Sequence, residues 1–193
     1  MNHTFPLHTL DNCLTDAEPS LQETENLFGM IPNLEAVMAA APPLLTTYVT
    51  GESQFEKTTL SPVEREVVMQ TVNFENTCNY CVPWHTFLSE KAGMSTSDIK
   101  ALRDNTPLSK PRLEALRRFT KDLVAQRGRI SHAELQAFFQ AGYDARQALE
   151  VILGIAIKTM SNFTNAIAGT TLDEAVENRR WHKPLPACGH GPA

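Results

Sequence analysis

Apolar residues recur along this chain with the period of a helix. Val63, Val67 and Phe74, with Val68 and Val72 alongside, form one stripe. Leu113, Leu116, Phe119, Leu123 and Val124 form a second, and Leu135, Phe138 and Phe139 a third. From Ala145 to about Ala168 the chain is apolar almost all round, the pattern of a buried central helix. No segment sustains period-two alternation between hairpin turns, so no sheet is expected.

Start and stop signals divide the pattern into elements. "SPVE" reads as a capping box, with Ser61 as N-cap, Pro62 in the first turn and Glu64 reaching back. "SHAE" (Ser131, Glu134) and "DARQ" (Asp144, Gln147) repeat that grammar, and "STSD" is a weaker relative. Gly128 and Gly142 stand where helix stops belong. The expected helices span 33–40, 44–55, 62–75, 78–92, 96–103, 110–126, 132–141, 145–168 and 172–180. The first twenty or so residues read as a loosely determined arm, and the last eight have the composition of a tail.

With 193 residues, 42% of them hydrophobic and 20% charged, the chain suits one all-α domain with a sizeable core. A net charge of −5 argues against a general nucleic-acid binder. Pairs such as Arg117-Arg118 and Arg179-Arg180 read as solvated helix faces. The longest apolar run, "ALEVILGIAI", reaches about half the ~20 residues of a bilayer span, so no membrane segment is expected. The N-terminus lacks the basic-then-apolar order of a secretory signal. A reducing cytoplasm is the resulting expectation, and there a close cysteine pair is more often catalytic or metal-binding than a structural staple. Cys13 and Cys188, in the terminal segments, are expected to be incidental thiols.

The chemistry concentrates in "NTCNYCVPWHTF". On a helix turning about 100° per residue, Cys81 lies about 60° to one side of Cys78, and His85 falls between them. An imidazole or a helix N-terminus nearby lowers a thiol's pKa. Asn76 or Thr77 is the expected N-cap. Pro83 is comfortable only in a first turn, so a later start would put Cys81 nearest the positive end. If this helix and the one before it form a hairpin turning near Asn76, residue 67 stands level with His85, and Glu66 is the adjacent acid. Glu66–His85–Cys81 is therefore a candidate proton relay, with Cys78 as a second thiol.

Other readings stay open on these residues. A zinc site would take Cys78, Cys81 and His85, completed by Cys13, Cys188, His190 or Glu66. Two buried core cysteines are a familiar arrangement too, and a lone Glu66 is most often a surface carboxylate. Tyr80, Trp84 and Phe87 suit either a dry pocket wall or ordinary packing. His132 reads as a surface residue. Asn162 and Asn165, on an apolar helix, read as amides satisfying a buried backbone or an interface.

The stretch "LSPVEREVVMQTVNFENTCNYCVPWHTFLSEKAGMS" resembles the carboxymuconolactone decarboxylase and alkylhydroperoxidase D-like superfamily. Glu66 precedes Cys78 by twelve residues, Cys81 follows three later and His85 four after that, the spacing of the family's redox members. The resemblance implies an alkylhydroperoxidase D-like helical bundle built around a helical hairpin, with an arm over 1–27, the domain over 28–180 and a tail over 181–193. It implies a thiol-dependent peroxidase or disulfide-exchange enzyme with no metal or organic cofactor. Its partners would be a hydroperoxide substrate and an external thiol or dithiol reductant, in a homo-oligomer, trimer or hexamer. Cys81 matches the peroxide-attacking thiol, Cys78 the resolving thiol, His85 the proton carrier and Glu66 the acid behind it. Alternatives are a dithiol-disulfide oxidoreductase or redox sensor, and a structural zinc module. The chain departs from the best-known members at Tyr80, where they carry a second histidine, and at Pro83 and Trp84, where small residues are common.

Overall fold

The structure, a computed structural model, describes residues 5–184, and among these there is no strand. Nine α-helices follow one another in the described residues: α1 (Glu18–Phe28), α2 (Asn33–Met38), α3 (Pro42–Glu56), α4 (Pro62–Glu75), α5 (Cys81–Lys91), α6 (Thr96–Asp104), α7 (Pro111–Ala125), α8 (His132–Gln140) and α9 (Ala145–Ala168). The capping signals act as read. Ser61, Ser131 and Asp144 each accept the backbone N–H three residues on, while Glu64, Glu134 and Gln147 reply to the cap's own N–H. Each such cap contributes about 1 kcal/mol.

The central helix is α4, not α9. It packs against α5, α7 and α9, and every residue from Val67 to Phe74 is buried. Three polar side chains in that run hid this from the hydrophobic pattern, and each has a partner. Thr71 Oγ1 donates to the Val67 carbonyl at 2.6 Å, Gln70 Nε2 to the Val82 carbonyl at 3.2 Å, and Asn73 Oδ1 accepts from Asn162 Nδ2 at 2.9 Å.

Helix α9 buries one side against α3 and α4, while Leu149, Ile152, Phe163 and Ile167 on its other side are exposed. Contrary to the sequence expectation, its length and apolarity reach those of a membrane span, although 44% of the apolar window is buried within the protein. Its close approach depends on Gly154. A Cβ there would fall 2.8 Å from both Phe55 Cζ and Val68 Cγ1.

Three boundaries differ from expectation. The segment read as a loose arm contains α1, which starts with Pro19 in its first turn and ends at Gly29 (φ 73°). Ala17 and Leu21 are fully buried there, but so few apolar positions carry the helix that no stripe is visible. The expected helix 172–180 is a 3-10 segment over Glu174–Arg179. Beyond it Trp181 is buried against Phe74, and its Nε1 donates to the Arg103 carbonyl at 2.9 Å.

The third difference shapes the site. Asn76 and Thr77 do not cap the second helix of the hairpin but close the first. Thr77, at φ 57°, donates its N–H to the Phe74 carbonyl (3.1 Å), and the Cys78 N–H reaches the Asn73 carbonyl (2.9 Å). This is a Schellman turn with threonine in the position glycine usually fills. Helix α5 then begins at Cys81, three residues later than expected, which leaves Pro83 in its first turn.

Candidate active site

The hairpin α4–α5 brings together the residues singled out by spacing. Cys78 lies in the connecting turn, Cys81 opens α5, and His85 follows one turn later. The Cys81 N–H donates to Cys78 Sγ at 3.2 Å, so one sulfur serves as a cap for the helix that carries the other. The macrodipole of α5 therefore favours negative charge at Cys81. Glu66, on α4, has its Oε2 3.0 Å from His85 Nδ1, and Ser89 Oγ supports the same oxygen at 3.4 Å.

The other ring nitrogen does not face a sulfur. His85 Nε2 lies 2.8 Å from Nζ of Lys158, a lysine only 1% exposed on α9. An ammonium only donates, so the network assigns the lone pair to Nε2 and the proton to Nδ1, which donates to Glu66. Among the described residues no hydrogen bond joins His85 to Cys78 or Cys81. The relay read from spacing is corrected at one link: Glu66 meets His85 as expected, but the other nitrogen of the imidazole faces Lys158 and not Cys81.

Cys81 Sγ has its own set of partners on α9. It accepts from Asn162 Nδ2 at 3.1 Å and Asn165 Nδ2 at 3.3 Å, and Ser161 Oγ lies 3.9 Å away. Burial opposes a thiolate here. The hydrogen bond with Cys78, the Lys158 charge and His85 outweigh it, and the Cys81 thiol is brought down to about 5. Cys78 moves the other way, pushed up by its hydrogen bond with Cys81 and by burial, so it keeps its proton. Burial also works against charge on Lys158, but Cys81, Glu52, Cys78 and Glu66 together hold its pKa above the ordinary lysine value.

Sequence reasoning missed Lys158 and misassigned the two amides. A signal was present. Positions 158, 161, 162 and 165 are spaced i, i+3, i+4, i+7, a polar line down one face of an apolar helix.

Tyr80 has a structural occupation. Its hydroxyl donates to Asp173 Oδ2 at 2.5 Å and accepts the Leu34 N–H at 3.1 Å. Trp84 Nε1 donates to the same Asp173 oxygen at 2.9 Å. Burial pushes the phenol far up, so Tyr80 keeps its proton and does not replace a histidine as a carrier.

Above Cys81 opens a cavity of about 370 Å³. Leu34, Tyr48, Phe55, Met69, Tyr80 and Trp84 supply largely apolar walls, and Glu35, Cys81, His85 and Lys158 supply polar groups. Cys81 lines this space and Cys78 does not. A zinc ion on the sulfurs would meet the Lys158 charge. Among the described residues no three His, Cys, Asp or Glu side chains form a metal cluster. Cys13 directs its thiol to the Leu10 carbonyl at 3.8 Å, while Cys188 and His190 lie outside the described residues. His132 is exposed at the start of α8.

The carboxymuconolactone decarboxylase family matches residues 39–122, which include Glu66, both cysteines and His85 but neither Lys158 nor Glu35. Comparison with curated protein sequences gives no significant match. Among solved structures the chain is similar to the alkylhydroperoxidase AhpD core of an uncharacterized peroxidase-related protein from Ralstonia eutropha JMP134, with a TM-score of 0.80 and 18% identity over 89% of this chain and 93% of that one. It is similar to an uncharacterized peroxidase-related protein from Silicibacter sp. TM1040, with a TM-score of 0.75 and 16% identity over 89% and 91%. The debrominase Bmp8, in its complex with 2,3,4-tribromopyrrole, gives a TM-score of 0.73 and 16% identity over 93% and 96%. At such identities the likeness is one of fold. Residues 39–122 thus match the carboxymuconolactone decarboxylase family, and the chain as a whole has the all-helical fold of the alkylhydroperoxidase D-like proteins.

Proposed function

We propose that the protein is a thiol-dependent peroxidase that reduces an organic hydroperoxide with the Cys78–Cys81 dithiol. The observation that carries this reading is the contrast between the two sulfurs. Cys81 is low in pKa, lines the cavity and is held by two amides and a buried ammonium, while Cys78 beside it stays protonated. A thiolate is the attacking species and a neighbouring thiol the resolving one.

In the proposed cycle Cys81 attacks the terminal oxygen of the hydroperoxide and becomes a sulfenic acid, while the O–O bond breaks. The Cys78 thiol then displaces water from that sulfur and forms the disulfide. An external dithiol returns both cysteines to thiols and is itself oxidised to a disulfide. Glu66 and His85 hold Lys158 in place, and the Cys78 hydrogen bond together with the Lys158 charge keeps Cys81 ionised.

Burial favours a small substrate over a protein disulfide, because Cys81 is 2% and Cys78 5% exposed. A 370 Å³ cavity admits a small organic molecule but not a folded partner's disulfide. The test is peroxide consumption with a dithiol reductant, with mass spectrometry of the cysteines after brief exposure. Loss of turnover in Cys81→Ser and a 78–81 disulfide in the wild type are expected. Unchanged turnover in Cys81→Ser would end the proposal.

The apolar walls over Cys81 favour one second reading, drawn from the likeness to Bmp8: reductive removal of a ring halogen. Bromide release from a bromopyrrole, without peroxide turnover, would select it.

A further inference from the structure

Glu35 is on α2, 6% exposed, and lines the same cavity as Cys81. Its Oε2 is buried without a hydrogen-bond partner. A native fold seldom leaves a buried carboxyl oxygen unsatisfied unless something else meets it. A ligand in the cavity is positioned to do so.

The charged and titratable groups around this carboxyl come from several elements. Glu52 and Tyr48 approach from α3, Tyr80 from the turn before α5, Cys81 from α5, Lys158 from α9 and Asp173 from the segment after it. Burial dominates. Together with Glu52 and Asp173 it outweighs Glu35's own backbone N–H and Lys158, and the carboxyl is pushed up to about 8. At neutral pH Glu35 is an O–H donor facing the thiolate's cavity.

Attack by Cys81 leaves an alkoxide that needs a proton. Lys158 is poorly suited to give one, because it is bonded to His85 and, after the Cys78 hydrogen bond, its charge helps keep Cys81 ionised. We propose that Glu35 is the general acid that protonates the departing alkoxide when Cys81 attacks an organic hydroperoxide, a role that rests on the peroxidase reading above. Sγ bonds to the terminal oxygen as the O–O bond breaks, and the electron pair of that bond leaves on the alkoxide oxygen. The Glu35 proton moves to that oxygen. The products are an alcohol, the Cys81 sulfenic acid and the Glu35 carboxylate, which regains its proton from water through the cavity mouth.

The experiment is stopped-flow oxidation of the fully reduced protein, followed by loss of thiolate absorbance. Cumene hydroperoxide, whose leaving alkoxide needs a proton, is compared with perbenzoic acid, whose leaving carboxylate does not. Glu35→Gln is expected to slow the cumene hydroperoxide reaction ~10²-fold or more and to leave the peracid reaction nearly unchanged at slightly acidic pH. The wild-type rate with cumene hydroperoxide should fall as pH rises through about 8, and that limb should vanish in the variant. An unchanged cumene hydroperoxide rate, or equal slowing with both oxidants, overturns the role of Glu35. Should Glu35→Gln fail to fold, the wild-type limb decides, and its absence overturns the proposal. A wild type that reacts with neither oxidant overturns the peroxidase reading itself, a distinct result.

Discussion

Lys158 Nζ lies 2.8 Å from His85 Nε2, and on the far side of the same ring Glu66 Oε2 meets Nδ1 at 3.0 Å. The imidazole is therefore a spacer between a carboxylate and a buried ammonium. This linkage ties the hairpin motif to a lysine seventy-three residues further along the chain.

Lys158→Met should raise the Cys81 thiol from about 5 toward its ordinary 9. At pH 7 the thiolate fraction, and with it the rate of alkylation by iodoacetamide, should drop by up to ~10²-fold and recover at alkaline pH. A pH profile of alkylation identical to that of the wild type would remove Lys158 from the causes of the low value.

Tyr80→Phe takes away the hydroxyl that joins Asp173 to the Leu34 N–H. It leaves a buried donor without its acceptor, so a stability loss of about 1–3 kcal/mol is expected in denaturant unfolding. Single-turnover oxidation of Cys81 should change little. A large rate loss with unchanged stability would instead make Tyr80 a proton carrier.

The acid Glu35 gives stability a defined dependence on pH. Its folded pKa of about 8 exceeds the ordinary 4.5, so between these values the unfolded chain releases a proton that the folded one keeps. Its contribution therefore falls as pH rises through that window, by something on the order of a few kcal/mol, and levels off above it. Cys81 works in the opposite sense, since its depressed pKa adds stability above about 5. The difference between wild type and Glu35→Gln isolates the acid. The variant should gain stability on the wild type from pH 5 to pH 8, and a constant difference in melting temperature across that range would refute it.

Gly154→Ala should destabilise the fold although alanine is the better helix former. The new methyl would sit 2.8 Å from Phe55 and Val68, both part of the core. Overpacking of this kind costs about 1–3 kcal/mol, and a lowered denaturation midpoint is the expected reading.

By itself the sequence determined the helices from α2 to α9 and the hairpin motif, but not α1. Ser61, Ser131 and Asp144 declared their helix starts because a cap's hydrogen bond is local, made within three residues. Glu66, Cys78, Cys81 and His85 were legible because they lie on one hairpin, where spacing converts directly into proximity. Tertiary structure alone decided the rest. Whether Lys158, Asn162 and Asn165 face a sulfur depends on how α9 crosses α4 and α5, and whether Glu35 is solvated depends on what α3 and α9 lay over it. Helical periodicity tells which residues share a face, but a face acquires a charge, a dry wall or a proton only from the element packed against it.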